Sequence, residues 1–462
     1  MISSLETIRR VFFIGVAGTG MSALAQYLRG MGKEVSGSDR YFQEGTPNET
    51  RTKLEEEGIA CFAQDGSGLD RSIDLVVVST AVEDSVPEVA RAKEWGIPIM
   101  KRSELLALIT STRKTIAVGD TSGKSTTAAM IFEILSRAGM SPGIISGAGL
   151  TALIRAGKIG NAQVGKGEWL VVEADESDGS IIQYHPAIGL LLNIDKDHKE
   201  IKELIGLFNS FRYHSGTFIV NRAHPLCRQF SRDISMDFST DTALPAGYQS
   251  TGFHQKGLQI SFEVSGTAFE LQTPGWHNME NALAAIAVTH QLGVPLPLAA
   301  DALKHYEGIY RRHQVIGKHQ GVWLIDDYAH NPAKCAASIA ACQALTPKVI
   351  AWFQPHGYGP TRFLRQDYVK EIARVLREQD EIWMSEIFYV GGTATKDISA
   401  EDLVNDLKKL GKNAYFVSER EQLLPAVSKH FTDDCVLLLM GARDPGLEQF
   451  ASGLWERMTH VS

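Results

Sequence analysis

TIAVGDTSGKSTTAAMIFEIL, residues 115–135, decides the fold. A short β-branched run ends in a glycine turn, reaches Gly123-Lys124-Ser125 and continues as a helical pattern, the context in which a Gly-Lys-Ser string carries meaning. A helix starting there turns unpaired backbone N–H groups and a partial positive charge toward phosphate. Lys124 adds a full charge, and the Ser125 hydroxyl suits Mg²⁺. Thr121, Ser122 and Thr126 complete the loop. Asp120 stands three residues before Gly123, an anion facing the same phosphates where such loops more often have glycine.

On either side, the chain repeats the alternation of buried strand and amphipathic helix. VFFIGV (11–16), MSALAQYLRGMG (21–32) and EVSGSD (34–39) are one example, and KVIAWF, DEIWMSEIFY and CVLLLMGA are later strand-bearing segments. This is how parallel α/β sheets read. Breaks in the pattern predict three units, 1–107, 108–314 and 315–462, with a polar and irregular stretch from about 222 to 275. With 462 residues, 44% of them hydrophobic, the chain has material for more than one core. Its net charge of -8, with dispersed cations, predicts no nucleic-acid partner. No uncharged apolar run approaches the ~18 residues that span a bilayer, so no membrane partner and a cytoplasmic location are expected. The five cysteines form no CxxC pair and are expected to be reduced.

Two further strand ends converge on the same sheet edge. VVEADESDGS delivers Glu173, Asp175 and Glu176, and LLLNIDKDHKEI delivers Asp195, Asp197 and His198. Ligands gather at the carboxyl ends of strands in open α/β sheets, and carboxylates there suit Mg²⁺, although solvated acidic turns share this composition. The imidazole of His198 suits a metal or a proton. GVAGTGMS (15–22), followed by Asp39 after the next strand, reads equally as a nicotinamide-type turn or as another diphosphate cradle, with glycines that only pack as the bland reading.

GVAGTGMS, GDTSGKSTT, EADESD, NIDKDH, WHNMENALAAIAV, YRRHQ and DDYAHNP follow one another in register, and with them the chain resembles the Mur ligases. The resemblance implies a Rossmann-like UDP-binding domain, a central P-loop ATPase-type α/β domain and a C-terminal Rossmann-like α/β domain that takes the amino acid. It implies ATP and Mg²⁺ as cofactors, with UDP-N-acetylmuramate and L-alanine as substrates in peptidoglycan precursor synthesis. ATP would phosphorylate the acyl carboxylate, and the amine would displace phosphate. Lys124 would bridge the phosphates, Ser125 and Glu173 would hold Mg²⁺, and His198 would hold a second ion. Asn278 and Asn281 would reach the adenine, with helix capping as their structural alternative. Arg312 would contact the γ-phosphate and Asp327 the ribose, where hinge salt bridges are the alternative. Gly18, Thr19, Gly20, Met21 and Ser22 would cradle the UDP diphosphate, with Asp39, Ser79 and Thr80 nearby. His330, His356 and Arg362 would serve the acyl and amino-acid substrates. The molecule is expected as a monomer or homodimer.

The chain departs from the family pattern at Asp120, at Ser122, at Asn331 and in FQPHGYGPTRF, where Gly357 and Pro360 stand at basic positions and leave Arg362. Loss of two guanidinium groups removes bidentate carboxylate donors. A paralogue ligating another amino acid or a recovered murein peptide, and a catalytically impaired nucleotide-binding homologue, are the rival expectations.

Overall fold

The computed structural model describes residues 4–43, 45–79, 82–177, 179–196, 199–389 and 395–460. Its first sheet is wholly parallel: β1 (Arg10–Ile14), β2 (Glu34–Asp39), β3 (Ala60–Ala63), β4 (Leu75–Val78) and β5 (Ile99–Lys101), in the order β3-β2-β1-β4-β5. Val11 to Ile14 are buried on both faces, as a central parallel strand requires. Helix Thr19–Gly30 follows β1 directly.

The second sheet holds β6 (Lys114–Gly119), β7 (Gly143–Ile145), β8 (Ala162–Gln163), β9 (Trp169–Ala174), β10 (Ile188–Leu191) and β11 (Thr217–Val220), in the order β11-β10-β6-β9-β7-β8. Only β8 runs antiparallel to its neighbour. Register explains why separate motifs meet: Gly119 of β6 pairs with Ala174 of β9 and with Leu191 of β10. The three strands therefore end level, and the residues that follow each emerge side by side. The helices Lys124–Arg137 and Trp276–Gln291 pack on each other, and Ala282 to Thr289 are all buried.

The stretch expected to be polar and irregular instead forms a four-stranded sheet, β12 (Phe238–Ser239), β13 (Tyr248–Lys256), β14 (Gln259–Val264) and β15 (Thr267–Leu271). Ile260, Phe262 and Val264 of β14 are buried, and Gln259, Ser261 and Glu263 alternate with them. Apart from the parallel β12–β13 pair the sheet is antiparallel and needs only one apolar face, so half its residues stay polar and mask the strand signal.

The third sheet, β16 (Gln314–His319), β17 (Val322–Asp327), β18 (Lys348–Gln354), β19 (Glu381–Met384), β20 (Ala414–Phe416) and β21 (Cys435–Gly441), runs β16-β17-β21-β18-β19-β20, with β16 antiparallel. Its apolar clusters contain only residues of this unit. In contrast, one continuous core passes from Leu24 and Tyr27 of the first unit into Leu170, Phe211 and Phe230 of the second. Helix Arg102–Thr110 belongs to that shared core through Leu105, Leu106 and Ile109.

A strap leads into the third sheet. Gly149 O accepts from Tyr310 N at 2.9 Å, and Arg311 O accepts from Tyr328 N at 2.7 Å. Arg311 and His313 have φ of 55° and 46°, unusual for side-chain-bearing residues. The Arg311 guanidinium holds them in place by donating to Asp326 at 2.7 Å and to Gly441 O at 3.1 Å. All five cysteines are free and buried. Among the described residues, no helix is long and apolar enough to cross a membrane.

Candidate active site

A cavity of about 490 Å³ opens between the second and third sheets. It is lined by Thr121 to Thr126, Glu173, Asn278, Asn281, Arg312, Asp327 and His330, so the structure brings most of the sequence-selected residues of these two units to one place.

The phosphate loop has a defined shape. Gly123 has φ of 121°, and a Cβ there would stand 2.6 Å from Asn281 Oδ1, so no other residue fits. Asn193, in the loop after β10, staples the turn. Its Oδ1 accepts from Thr121 Oγ1 at 2.8 Å and from Ser122 N at 3.0 Å, while its Nδ2 donates to Ser122 O at 2.5 Å. Thr121 Oγ1 in turn accepts from Asp195 N at 2.8 Å. Sequence reading took the charged residues of NIDKDH and passed over this neutral amide, although its place in the string marked it.

Charge around Lys124 is dense. Its Nζ donates to Asp120 O at 2.6 Å and to Glu176 Oε2 at 2.7 Å, and lies 3.4 Å from Asp120 Oδ1. Burial works against its charge, but the carboxylates of Glu176, Asp120 and Asp175 outweigh burial and leave the lysine more basic than usual. Asp120, fully buried, is pushed up to about 7, first by burial, with Lys124 opposing the shift. Asp175 falls below the usual range: burial would raise it, and Lys124, Ser177 and Arg102 more than offset that. Glu173 Oε1 accepts from Ser146 Oγ at 2.7 Å and from Gly147 N at 2.6 Å. Ser125 is buried in the first helical turn.

The two asparagines are embedded in their helix. Asn278 Nδ2 donates to Pro274 O at 2.7 Å, and Asn281 Oδ1 accepts from Thr127 Oγ1 at 3.2 Å. Opposite them, Arg312 lies over the Tyr328 ring at 4.7 Å. Asp327 is committed to neighbours: His313 Nδ1 is 2.9 Å away and Ser338 Oγ donates at 2.8 Å. Despite burial, the His313 contact holds Asp327 down at about 2, and the carboxylate in turn lifts His313 well above the usual imidazole range. His277, also lining the cavity, drops to about 4 through burial and the charge of His313. Burial likewise leaves His330 neutral, with Nδ1 2.9 Å from the Tyr328 carbonyl, so Nδ1 carries the proton and Nε2 is the acceptor.

The first unit's glycine turn does not line this cavity. Gly18 and Thr19 are exposed, whereas Met21 and Ser22 are buried. Asp39 is an anchor of the turn, accepting from Ala17 N at 2.9 Å and Tyr41 N at 3.1 Å. Asn161, from the second unit, donates to Thr19 O at 2.8 Å and Ser22 Oγ at 3.0 Å, and accepts from Gln26 Nε2 at 2.7 Å. Arg102 links turn and cavity: it packs against Gly20, and its Nη2 lies 3.9 Å from Asp175 Oδ2. Neither Asn161 nor Arg102 belongs to a local motif, so no sequence signal marked them. Ser79 follows β4 and is partly buried. Thr80, Asp197 and His198 lie outside the described residues.

In the third unit, the His356 and His330 rings are 5.6 Å apart. Arg362 is not part of the cavity; it pairs with Asp397 and donates to Thr395 O at 3.1 Å. Gly357 caps helix Tyr358–Val375 with φ of 71°, a backbone that an arginine would strain, and Pro360 sits in the first helical turn, where its missing N–H is harmless.

Models of three Mur ligase domains match the chain: the catalytic domain of the family over residues 10–114, the middle domain over 118–289 and the glutamate ligase domain over 311–443. A UDP-N-acetylmuramate–L-alanine ligase of Sorangium cellulosum is 32% identical over 455 residues, covering 95% of this chain and 94% of its own. Among solved structures, the UDP-N-acetylmuramate–alanine ligase MurC of Thermotoga maritima superposes with a TM-score of 0.79 at 25% identity, covering 98% of this chain and all of its own. A murein peptide ligase of Psychrobacter arcticus shares the fold with a TM-score of 0.68 at 20% identity, over 98% of this chain and 99% of its own. With all three family domains matched in order and similarity running the length of the chain, the protein belongs to the Mur ligase family.

Proposed function

We propose that this chain is an ATP-dependent carboxylate–amine ligase that joins L-alanine to UDP-N-acetylmuramate through an acyl phosphate, releasing ADP and phosphate, in peptidoglycan precursor synthesis. The single observation that carries the reading is the cavity that sets Lys124 and Glu173 of the middle unit opposite Arg312 of the strap, within a chain similar along its length to alanine-adding ligases. Residues 1–107 take the UDP-sugar, 108–314 the nucleotide and 315–462 the amino acid.

In the first step a carboxylate oxygen of the acyl substrate attacks the γ-phosphorus and ADP leaves. In the second the amine nitrogen attacks the acyl carbon, phosphate departs, and a proton is lost from nitrogen. Both steps concentrate negative charge, so fixed cations and alignment supply most of the catalysis. Lys124 and the helix start hold the phosphates, and Arg312 approaches them from the strap. Asn278 and Asn281 face the nucleoside, with Asp327 near the ribose. Gly18 to Ser22 offer their helix start to the UDP diphosphate, with Asp39 shaping the turn. His330, neutral and with Nε2 as acceptor, has the protonation state that suits a hydrogen bond to an ammonium or amine donor, and His356 stands behind it.

The donor set fits Mg²⁺: the Ser125 hydroxyl and Glu173 are hard oxygen donors beside the phosphate loop. Among the described residues no three His, Cys, Asp or Glu side chains group for a metal. Such an ion takes one or two protein oxygens and completes its shell with phosphate and water. When bound, it would neutralise charge on the transferred phosphoryl group.

The test is alanine-dependent phosphate release with UDP-N-acetylmuramate and ATP, run beside a panel of the other amino acids and murein tripeptide. Turnover with alanine is expected. Turnover only with tripeptide would transfer the assignment to a peptide-reattaching ligase, the reading that Gly357 and Pro360 in place of arginines favour.

A further inference from the structure

Asp120 is the part of the phosphate loop that the ligase reading leaves unused. Its side chain is wholly buried, and neither carboxylate oxygen has a hydrogen-bond partner among the described residues. Oδ1 lies 3.4 Å from Lys124 Nζ, and Oδ2 stands 3.1 Å from where a Cβ on Gly123 would be, against the turn that faces phosphate. A buried carboxylate without hydrogen bonds persists only where a cation offsets it. Here the nearest cation is the loop's own lysine, which Glu176 also claims.

The two carboxylates reach the lysine from different segments. Glu176 sits in the loop beyond β9 and reaches Lys124 by the longer side chain. Asp120 is fixed between Gly119, the last residue of β6, and the Asn193-stapled turn, so it stays beside Lys124 throughout. The loop then offers phosphate a lysine partly neutralised by Asp120, plus the helix start, worth about half a positive charge. Glu173 and Asp175 add negative charge nearby, and Lys334 of helix Pro332–Gln343 is the further cation acting on Asp120.

We propose that Asp120 makes nucleotide capture by this loop conditional on a divalent cation: free triphosphate is rejected, and the cation–triphosphate complex, with less negative charge, is accepted. This deepens the nucleotide reading and rests on it. The upward shift of Asp120 toward neutral pH accords with a charge that Lys124 only partly compensates.

The experiment titrates a fluorescent ATP analogue into the full-length chain in magnesium chloride and in EDTA, for wild type, Asp120→Asn and Asp120→Gly, with melting curves to verify folding. The ratio of affinities with and without magnesium should fall at least about tenfold in both variants, on the scale of one charge acting at this distance. The isosteric Asp120→Asn keeps the test informative if Asp120→Gly does not fold. Equal magnesium dependence in wild type and Asp120→Asn would overturn the proposal while leaving the nucleotide reading in place. Failure of wild type to bind the magnesium complex would overturn both.

Discussion

The glycine turn of residues 15–22 and the phosphate loop of residues 120–125 both carry a parallel strand into the first turn of a helix, and they are held by different means. The first is held by Asp39, which takes the N–H of Ala17, by Asn161 reaching in from the neighbouring unit, and by Arg102 packed against Gly20. The second is pinned by Asn193 and loaded with charge, Lys124 lying against Glu176 and Asp120. In the proposed reading, a turn of the first kind takes a diphosphate as it stands. In the same reading, a turn of the second kind must free its lysine from Glu176 while Asp120 stays beside it. The same strand-to-helix junction, with Gly18 at φ of -63° and Gly123 at φ of 121°, is thus proposed to serve passive holding in one place and conditional capture in the other.

The sharpest way to break this comparison is to add a methyl group to each turn. Gly123→Ala places Cβ 2.6 Å from Asn281 Oδ1 at a φ of 121°, and is expected to lower stability by about 2–3 kcal/mol and to abolish binding of the ATP analogue. Gly18→Ala, at φ of -63° and with its nearest atom at 3.4 Å, should stay within about 0.5 kcal/mol of wild type. Melting curves of the two variants decide it; equal losses would mean that the turns are equally constrained.

A smaller effect is expected at the two staples. Asn193→Ala and Asn161→Ala each strand buried partners, at roughly 1–3 kcal/mol. Steady-state kinetics should separate them, with KM rising for ATP in the first and for the UDP-sugar in the second. A rise for the same substrate in both would undo the division of labour.

The smallest change concerns pH. Asp120 titrates at about 7 in the folded chain and at ~3.9 when unfolded, so between these values the folded state binds more protons and loses stability as pH rises. Asp120→Asn removes that loss but buries an amide whose hydrogen bonds are unmet, so a gain of roughly 2–4 °C in melting temperature is expected at pH 8, with less at pH 5. A gain independent of pH would contradict the burial of this carboxylate.

The phosphate loop was legible in the sequence because strand, turn, Lys124 and helix are contiguous. The meeting of β9 and β10 with it was legible because each strand announces its own acidic end. What was not legible depends on distance or neutrality. Asn161 and Arg102 act across units far apart in the chain, and Asn193 is an amide in a string read for charge. The four-stranded sheet near residues 238–271 hid behind its polar face. Gly357 shows the reverse case: read as a lost cation, it is also the residue that its backbone demands.

The buried cysteines bear on how domain movement in this molecule could be watched. Burial pushes the Cys61 thiol to about 12 and raises Cys227, Cys335 and Cys435 as well, which suppresses the thiolate that alkylating dyes attack. The native fold is therefore nearly silent to thiol labelling. Cysteines introduced at exposed Tyr41 in the first unit and Leu410 in the third would take donor and acceptor dyes against a dark background, so energy transfer between them would report any change in the separation of these units without removing a single native sulfur.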